Sequence, residues 1–137
     1  MFNNNIDQII QLFKKNNLKI TPQRINIYSY LVSTCEHPTV DTIYKNIKNI
    51  MPAISIATIY KTLNTLVESN LVKIINVCEE NFRYDANINP HGHIKCTVCK
   101  KIKDISVNND FSYIGENENF HVENFDLFLY GKCNTCS

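Results

Sequence analysis

The sequence predicts an α+β chain in two parts: four helices with a two-stranded hairpin over residues 1–84, then a small α/β domain over residues 85–137. Three observations predict it. Apolar residues recur at helical spacing as far as Val67, they change to the alternation of strands from Leu71, and four of the six cysteines form two C-x-x-C pairs, Cys96/Cys99 and Cys133/Cys136. A chain of 137 residues that is 44% hydrophobic can bury one ordinary core or two small ones. No run of 18 apolar residues occurs, and the start MFNNNIDQII has neither the basic nor the apolar segment of a signal peptide, so a cytoplasmic protein without a membrane partner is expected. In a reducing compartment, paired C-x-x-C motifs hold metal or do redox chemistry rather than form structural disulfides. Cys35 and Cys78 stand alone.

The elements come in order along the chain. Residues 5–16 read as an amphipathic helix, with Ile6, Ile9, Ile10 and Phe13 on one stripe. Thr21-Pro22 is an N-cap hydroxyl followed by a proline at the first helical position, and it opens a second helix carrying Ile25, Tyr28, Leu31 and Val32 that Pro38 stops. Thr39 caps a third helix with Val40, Ile43, Tyr44 and Ile47 inward. After Met51-Pro52, Ser55 caps a fourth with Ile56, Ile59, Leu63, Leu66 and Val67 inward. LVKIINV, polar CEEN and FRYDA then read as a hairpin. Helices followed by a hairpin have the order of a winged helix-turn-helix, whose later helix enters the DNA major groove. On the fourth helix Ala57, Thr58, Tyr60, Lys61 and Asn64 fall off the apolar stripe, and such groups suit base edges and phosphate. A solvated helix face has the same composition.

The second part holds three strand-like runs, HIKCTVC, KKIKDISV and FDLFLYGKC. The last is apolar on both faces, Phe125, Leu127 and Leu129 against Phe128 and Tyr130, and implies a sheet buried on both sides. Some fifty residues make a thin core, so a staple, a partner chain or both are expected. The staple is at hand: four thiolates in two close pairs fill a tetrahedral Zn²⁺ shell with no open position, the mark of a structural site. A thioredoxin-like pair would need no duplicate. Zinc would then tie the last strand to the first. His91 and His93 share a face of their strand while Cys96 has the opposite parity, so the histidines belong to a second site. Asp85, Asp104 and His37 are the further ligand types within reach of that reading, and imidazole with carboxylate suits Fe²⁺, Mn²⁺ or Zn²⁺.

LKITPQR, HPTVDTIYKNI, SIATIYKTLNTLVESNLV, YDANINPHGHIKCTVC and the final CNTC, in that order and spacing, resemble the Fur family of bacterial metal-responsive repressors, most closely its peroxide-sensing PerR branch. The resemblance covers nearly the whole chain. It implies a winged-helix DNA-binding half and a dimerisation half, with one structural Zn²⁺ per subunit on Cys96, Cys99, Cys133 and Cys136. It also implies one regulatory Fe²⁺ or Mn²⁺ per subunit on His37, Asp85, His91, His93 and Asp104. Ligands drawn from both halves imply that the ion fixes one half against the other and favours a homodimer matched to an A·T-rich inverted repeat in double-stranded DNA. Iron-uptake repressors of the family commonly carry glutamate where this chain has Asp104, and the shorter carboxylate is typical of the peroxide sensors. In those, Fe²⁺ reacts with hydrogen peroxide and a ligand histidine, His37 or His91 here, is oxidised. A further metal site of some members is not expected, because Pro90 and Gly92 stand in its positions, and His121 is read as structural or solvent-facing.

Charge departs mildly from a DNA-binding protein. The formal net charge is +1, divided as eight Lys/Arg against four Asp/Glu over residues 1–77 and six against nine over residues 78–137. Operator affinity therefore leans on Lys14, Lys15, Lys19, Arg24 and Lys61, with CEEN bringing two acids to the wing tip. Cys78 in that tip has no basic neighbour to activate it. Three rivals stand beside the peroxide sensor: a metal-homeostasis repressor of the same family, a zinc-stapled interaction module, and a zinc enzyme. The enzyme is opposed by the absence of H-E-x-x-H and of H-x-E with P-C-x-x-C.

Overall fold

The computed structural model describes residues 6–75, 82–89, 91–107, 111–123 and 125–137. The wing tip with Cys78, and Pro90, lie outside them. Two compact units emerge, Met1–Ile88 and Asn89–Ser137. The division falls four residues later than the expected one because Asp85 closes a strand of the first unit.

The first unit contains α1 (Ile6–Lys15), α2 (Pro22–Ser33), α3 (Val40–Lys48), α4 (Ile56–Glu68), β1 (Lys73–Ile75) and β2 (Arg83–Asp85). All three expected N-caps form: the hydroxyls of Thr21, Thr39 and Ser55 accept from the backbone N–H of Arg24, Thr42 and Thr58 at 3.2, 3.4 and 3.1 Å. Helix ends use a device with no counterpart in the expected elements. Asn17 and Asn70 take left-handed φ values of 56° and 57°, and the next residues' amides reach back to the Phe13 and Leu66 carbonyls at 2.8 and 3.0 Å, closing α1 and α4 with Schellman-type turns. β1 and β2 pair antiparallel with Lys73 opposite Asp85.

Phe13, Ile27, Ile43, Ile47, Ile59, Leu63, Leu66 and Val72 are fully buried and form the core with Tyr28, Leu31 and Tyr84. Helix α2 packs against α1, α3, α4 and β2. It is buried over the whole stretch Ile27, Tyr28, Ser29, Tyr30 and Leu31, which no single stripe predicts. Four expectations change. Helix α2 stops at Ser33 rather than at Pro38. Ile6, Val32 and Ile56, expected on the apolar stripes, are exposed. All three sit in a terminal turn, where the periodic stripe outruns the core it packs on.

The second unit contains β3 (Gly92–Cys96), β4 (Ile102–Ile105), α5 (Ser112–Asn117) and β5 (Leu127–Gly131), with sheet order β4-β3-β5. β4 runs antiparallel to β3 with His93 opposite Asp104, and β5 runs parallel with His93 opposite Phe128 and Cys96 opposite Gly131. First and last strands are thus neighbours, as the zinc staple requires. Helix α5 has no side-chain cap and no sequence signal, and a Cβ at Gly115 would run into the Phe120 carbonyl and the Val122 side chain. The expected burial of the sheet on both sides is not met within one chain: Ile94, Leu129 and Tyr130 are exposed, because one six-residue helix cannot cover two faces.

Replacing Leu66 with alanine is expected to destabilise the first unit by about 2–5 kcal/mol, the cost of a core cavity, whereas Ile56→Ala should change it by less than about 0.5 kcal/mol. Urea unfolding followed by the helical signal checks the pair.

Candidate metal centres and nucleic-acid face

In the second unit the sheet pairing brings the two C-x-x-C motifs together. Each occupies a tight turn: the Lys100 amide donates to the Cys96 carbonyl at 3.0 Å, with Lys100 at φ 64°, and the Cys136 amide donates to the Cys133 carbonyl at 2.9 Å. The Thr97 amide donates to the Gly131 carbonyl at 2.8 Å and locks the first turn onto the end of β5. One sulfur from each of Cys96, Cys99, Cys133 and Cys136 then lies within 4.8 Å of the others.

The donor set fits a divalent cation. Amides of Cys133 and Cys99 point at the Cys96 sulfur from 3.4 and 3.5 Å and hold its thiol down at about 6, while hydrogen bonding with the Cys133 thiol pushes Cys136 up to about 12. Four thiols so close cannot all ionise against one another; a bound Zn²⁺ would replace the shared protons and accept all four sulfurs. Among the described residues the cysteines carry no disulfide.

A second cluster lies on the same sheet. The Nε2 atoms of His91 and His93 are 3.1 Å apart, and Asp104 Oδ1 lies 3.5 and 3.2 Å from them. Antiparallel pairing puts Asp104 opposite His93. His91 Nδ1 is 2.6 Å from the Asn89 carbonyl, which assigns the ring proton to Nδ1 and leaves Nε2 a lone pair. The His93 ring stacks on Phe128, centroids 5.2 Å apart at 18°, and this fixes its plane. Two imidazole nitrogens and a carboxylate oxygen within 3.5 Å of one another suit a cation of borderline hardness.

The first unit carries a pair of the same type: His37 Nε2 is 3.4 Å from Asp85 Oδ2. The loop between α2 and α3 is stitched to β2, since the Tyr84 amide donates to the Pro38 carbonyl at 3.1 Å, Arg83 Nη1 donates to the His37 carbonyl at 3.1 Å, and Thr39 bridges Arg83. His37 takes φ 53°, a left-handed conformation that histidine tolerates better than most residues. The Asn87 amide donates to Asp85 Oδ1 at 2.8 Å, leaving Oδ2 toward His37.

On α4, Ala57, Tyr60, Lys61 and Asn64 are exposed. Thr58 is half-buried and its hydroxyl lies 2.9 Å from that of Ser55, inside the cap. Lys14, Lys15 and Lys19 are exposed, and half-buried Arg24 donates from Nη1 to the Lys19 carbonyl at 3.0 Å. His121 and Cys35 are exposed.

Residues 15–130 match the model of the ferric uptake regulator family. The transcriptional regulator PerR of Clostridium acetobutylicum is 44% identical, with 96% of this chain and 97% of that protein covered. The peroxide operon regulator of Bacillus subtilis is 35% identical, covering 96% of this chain and 93% of its own length. The crystal structure of the Campylobacter jejuni peroxide stress regulator is similar at a TM-score of 0.75 and 32% identity, over 97% of this chain and 99% of that one. The sequence match and the paired ligand sets lead to one conclusion: the chain belongs to the ferric uptake regulator family.

Proposed function

We propose that the protein is a homodimeric, metal-dependent transcriptional repressor of the cytoplasm that senses hydrogen peroxide and controls peroxide-defence genes. The observation that carries this reading is the convergence of His91 Nε2, His93 Nε2 and Asp104 Oδ1 in one unit, with the same ligand types paired in the other as His37 and Asp85. The names of the Bacillus and Campylobacter relatives favour peroxide as the signal.

In this reading Cys96, Cys99, Cys133 and Cys136 hold one structural Zn²⁺, and His37, Asp85, His91, His93 and Asp104 together hold one regulatory Fe²⁺ or Mn²⁺. Sharing five ligands between the units couples them and favours one arrangement of the DNA-binding units in the dimer. Exposed Leu129 and Tyr130 on the edge strand β5 supply apolar surface for the second copy. The operator is an A·T-rich inverted repeat, approached by Ala57, Thr58, Tyr60, Lys61 and Asn64 of α4, with Lys14, Lys15, Lys19 and Arg24 as candidates for the phosphates.

Bound iron supplies the redox chemistry with hydrogen peroxide, in which one peroxide oxygen enters an imidazole C–H bond and the other leaves as water. The chain's own residues hold the target rings in place. The backbone of His37 is held by the stitched loop and the ring of His91 by the Asn89 carbonyl, so the His91 ring cannot turn away without breaking its hydrogen bond. Oxidation of either ring removes a basic nitrogen, the two ligand sets lose their common ion, and the operator is released.

Replacing Cys99 or Cys133 with serine is expected to lower zinc from one ion per chain to near zero. Hydrogen exchange should then speed up throughout β3, β4 and β5 while the core of α1 to α4 stays protected. Elemental analysis and exchange mass spectrometry read both.

The function itself is tested by loading the zinc-containing dimer with Fe²⁺ or Mn²⁺ and adding a small excess of peroxide. Tryptic peptides of the Fe²⁺ form alone should gain one oxygen on His37 or His91, with loss of the metal-dependent gel shift. Intact histidines with binding that still tracks metal occupancy would establish a metal-homeostasis repressor instead. Absence of any metal-dependent shift would leave a zinc-stapled interaction module.

A further inference from the structure

The first residue of α4 faces solvent. Ile56 is 42% exposed and Tyr60, one turn on, 48% exposed, with Ala57 exposed beside them. Ile56, Tyr60 and Asn64 repeat every four residues and share one helix face. The same helix buries Ile59, Leu63 and Leu66 against the core, whereas Ile56 lies outside that buried set. The two aliphatic hydroxyls at this end face each other, Thr58 Oγ1 and Ser55 Oγ being 2.9 Å apart within the cap. What remains at this end of the face is branched aliphatic, methyl and aromatic surface, bordered by exposed Lys61.

Resting on the DNA-binding reading, the geometry points to Ile56 as a specificity determinant that recognises a thymine 5-methyl group in the major groove. An aliphatic side chain has no donor or acceptor, and the thymine methyl is the apolar mark that the major groove displays. The occupant is DNA because this face is continuous with Lys61, in a half of the chain with eight basic and four acidic residues. Isoleucine in a helix has one strongly preferred χ1, so little rotamer freedom is lost on contact. The contact biases the protein toward A·T pairs through shape and burial, with no hydrogen bond to the base.

The test starts from a duplex enriched from a randomised pool by the Mn²⁺-loaded, zinc-containing dimer. Each thymine is then replaced in turn by deoxyuridine, which removes the methyl and leaves pairing intact. At one thymine per half-site the wild type should bind about fourfold more weakly without the methyl, the equivalent of one buried methyl group. Ile56→Ala should bind the thymine duplex correspondingly more weakly and be indifferent to deoxyuridine at that position, while keeping wild-type sensitivity elsewhere. Because the side chain is exposed, the variant should fold and bind Mn²⁺ as the parent does. An enriched duplex on which Ile56→Ala and wild type show the same deoxyuridine profile overturns this inference and leaves DNA binding standing. If no duplex is enriched, the DNA-binding reading falls and the inference with it.

Discussion

Strand β3 is the element on which the second unit depends, through its two unlike pairings. The antiparallel partner β4 is close in sequence and arrives by a short turn, whereas the parallel partner β5 must return over a long crossover. A three-stranded sheet of this size gains little from apolar burial alone, and its outer strand is exposed. The thiol cluster offsets that weakness at one end of β3, by joining the turn after Cys96 to the turn after β5. With the strands so pinned, His93 necessarily meets Asp104 on one side and the Phe128 ring on the other. The thiol cluster therefore sets the geometry of the His93–Asp104 pair without touching it.

The first unit solves the same problem without metal. His37 and Asp85 are far apart in sequence and come together because the loop after α2 is hydrogen-bonded along β2, through Pro38, His37 and Thr39 on one side and Arg83 and Tyr84 on the other. Buried Tyr84 anchors β2 in the helical core. The left-handed backbone of His37 is tolerated since both neighbouring contacts hold it there, a small local cost of the kind found where a side chain must be aimed. Packing of α1 to α4 thus reaches a ligand atom through one strand and one loop.

These causes explain what the sequence disclosed. Caps are local signals, and Thr21, Thr39 and Ser55 were legible because hydroxyl, proline and apolar period sit within a few residues of one another. The Cys₄ cluster was legible because C-x-x-C is itself a turn with two ligands. His93 beside Asp104 depends on strand register, and His37 beside Asp85 on a tertiary stitch, so residue chemistry supplied only candidate ligand types and the resemblance supplied the set. Helix α5 has no cap and no period to betray it. Periodicity also misplaced Ile6, Val32 and Ile56, because a stripe says which side of a helix is apolar and not where the neighbouring helices end.

One strand with two ligand sets must let each keep its own metal. His93 and Cys96 are three residues apart, but strand alternation sends their side chains to opposite faces. The donor chemistry completes the separation. Four sulfurs would form a soft, closed shell around one ion, leaving it no vacant position from which to exchange readily. Imidazole and carboxylate form a harder, less demanding set whose affinity depends on the metal available. A protein with thiols in both places would lose the distinction between staple and switch. Here parity on a single strand preserves it, and the centre that must persist is the one that holds the sheet together.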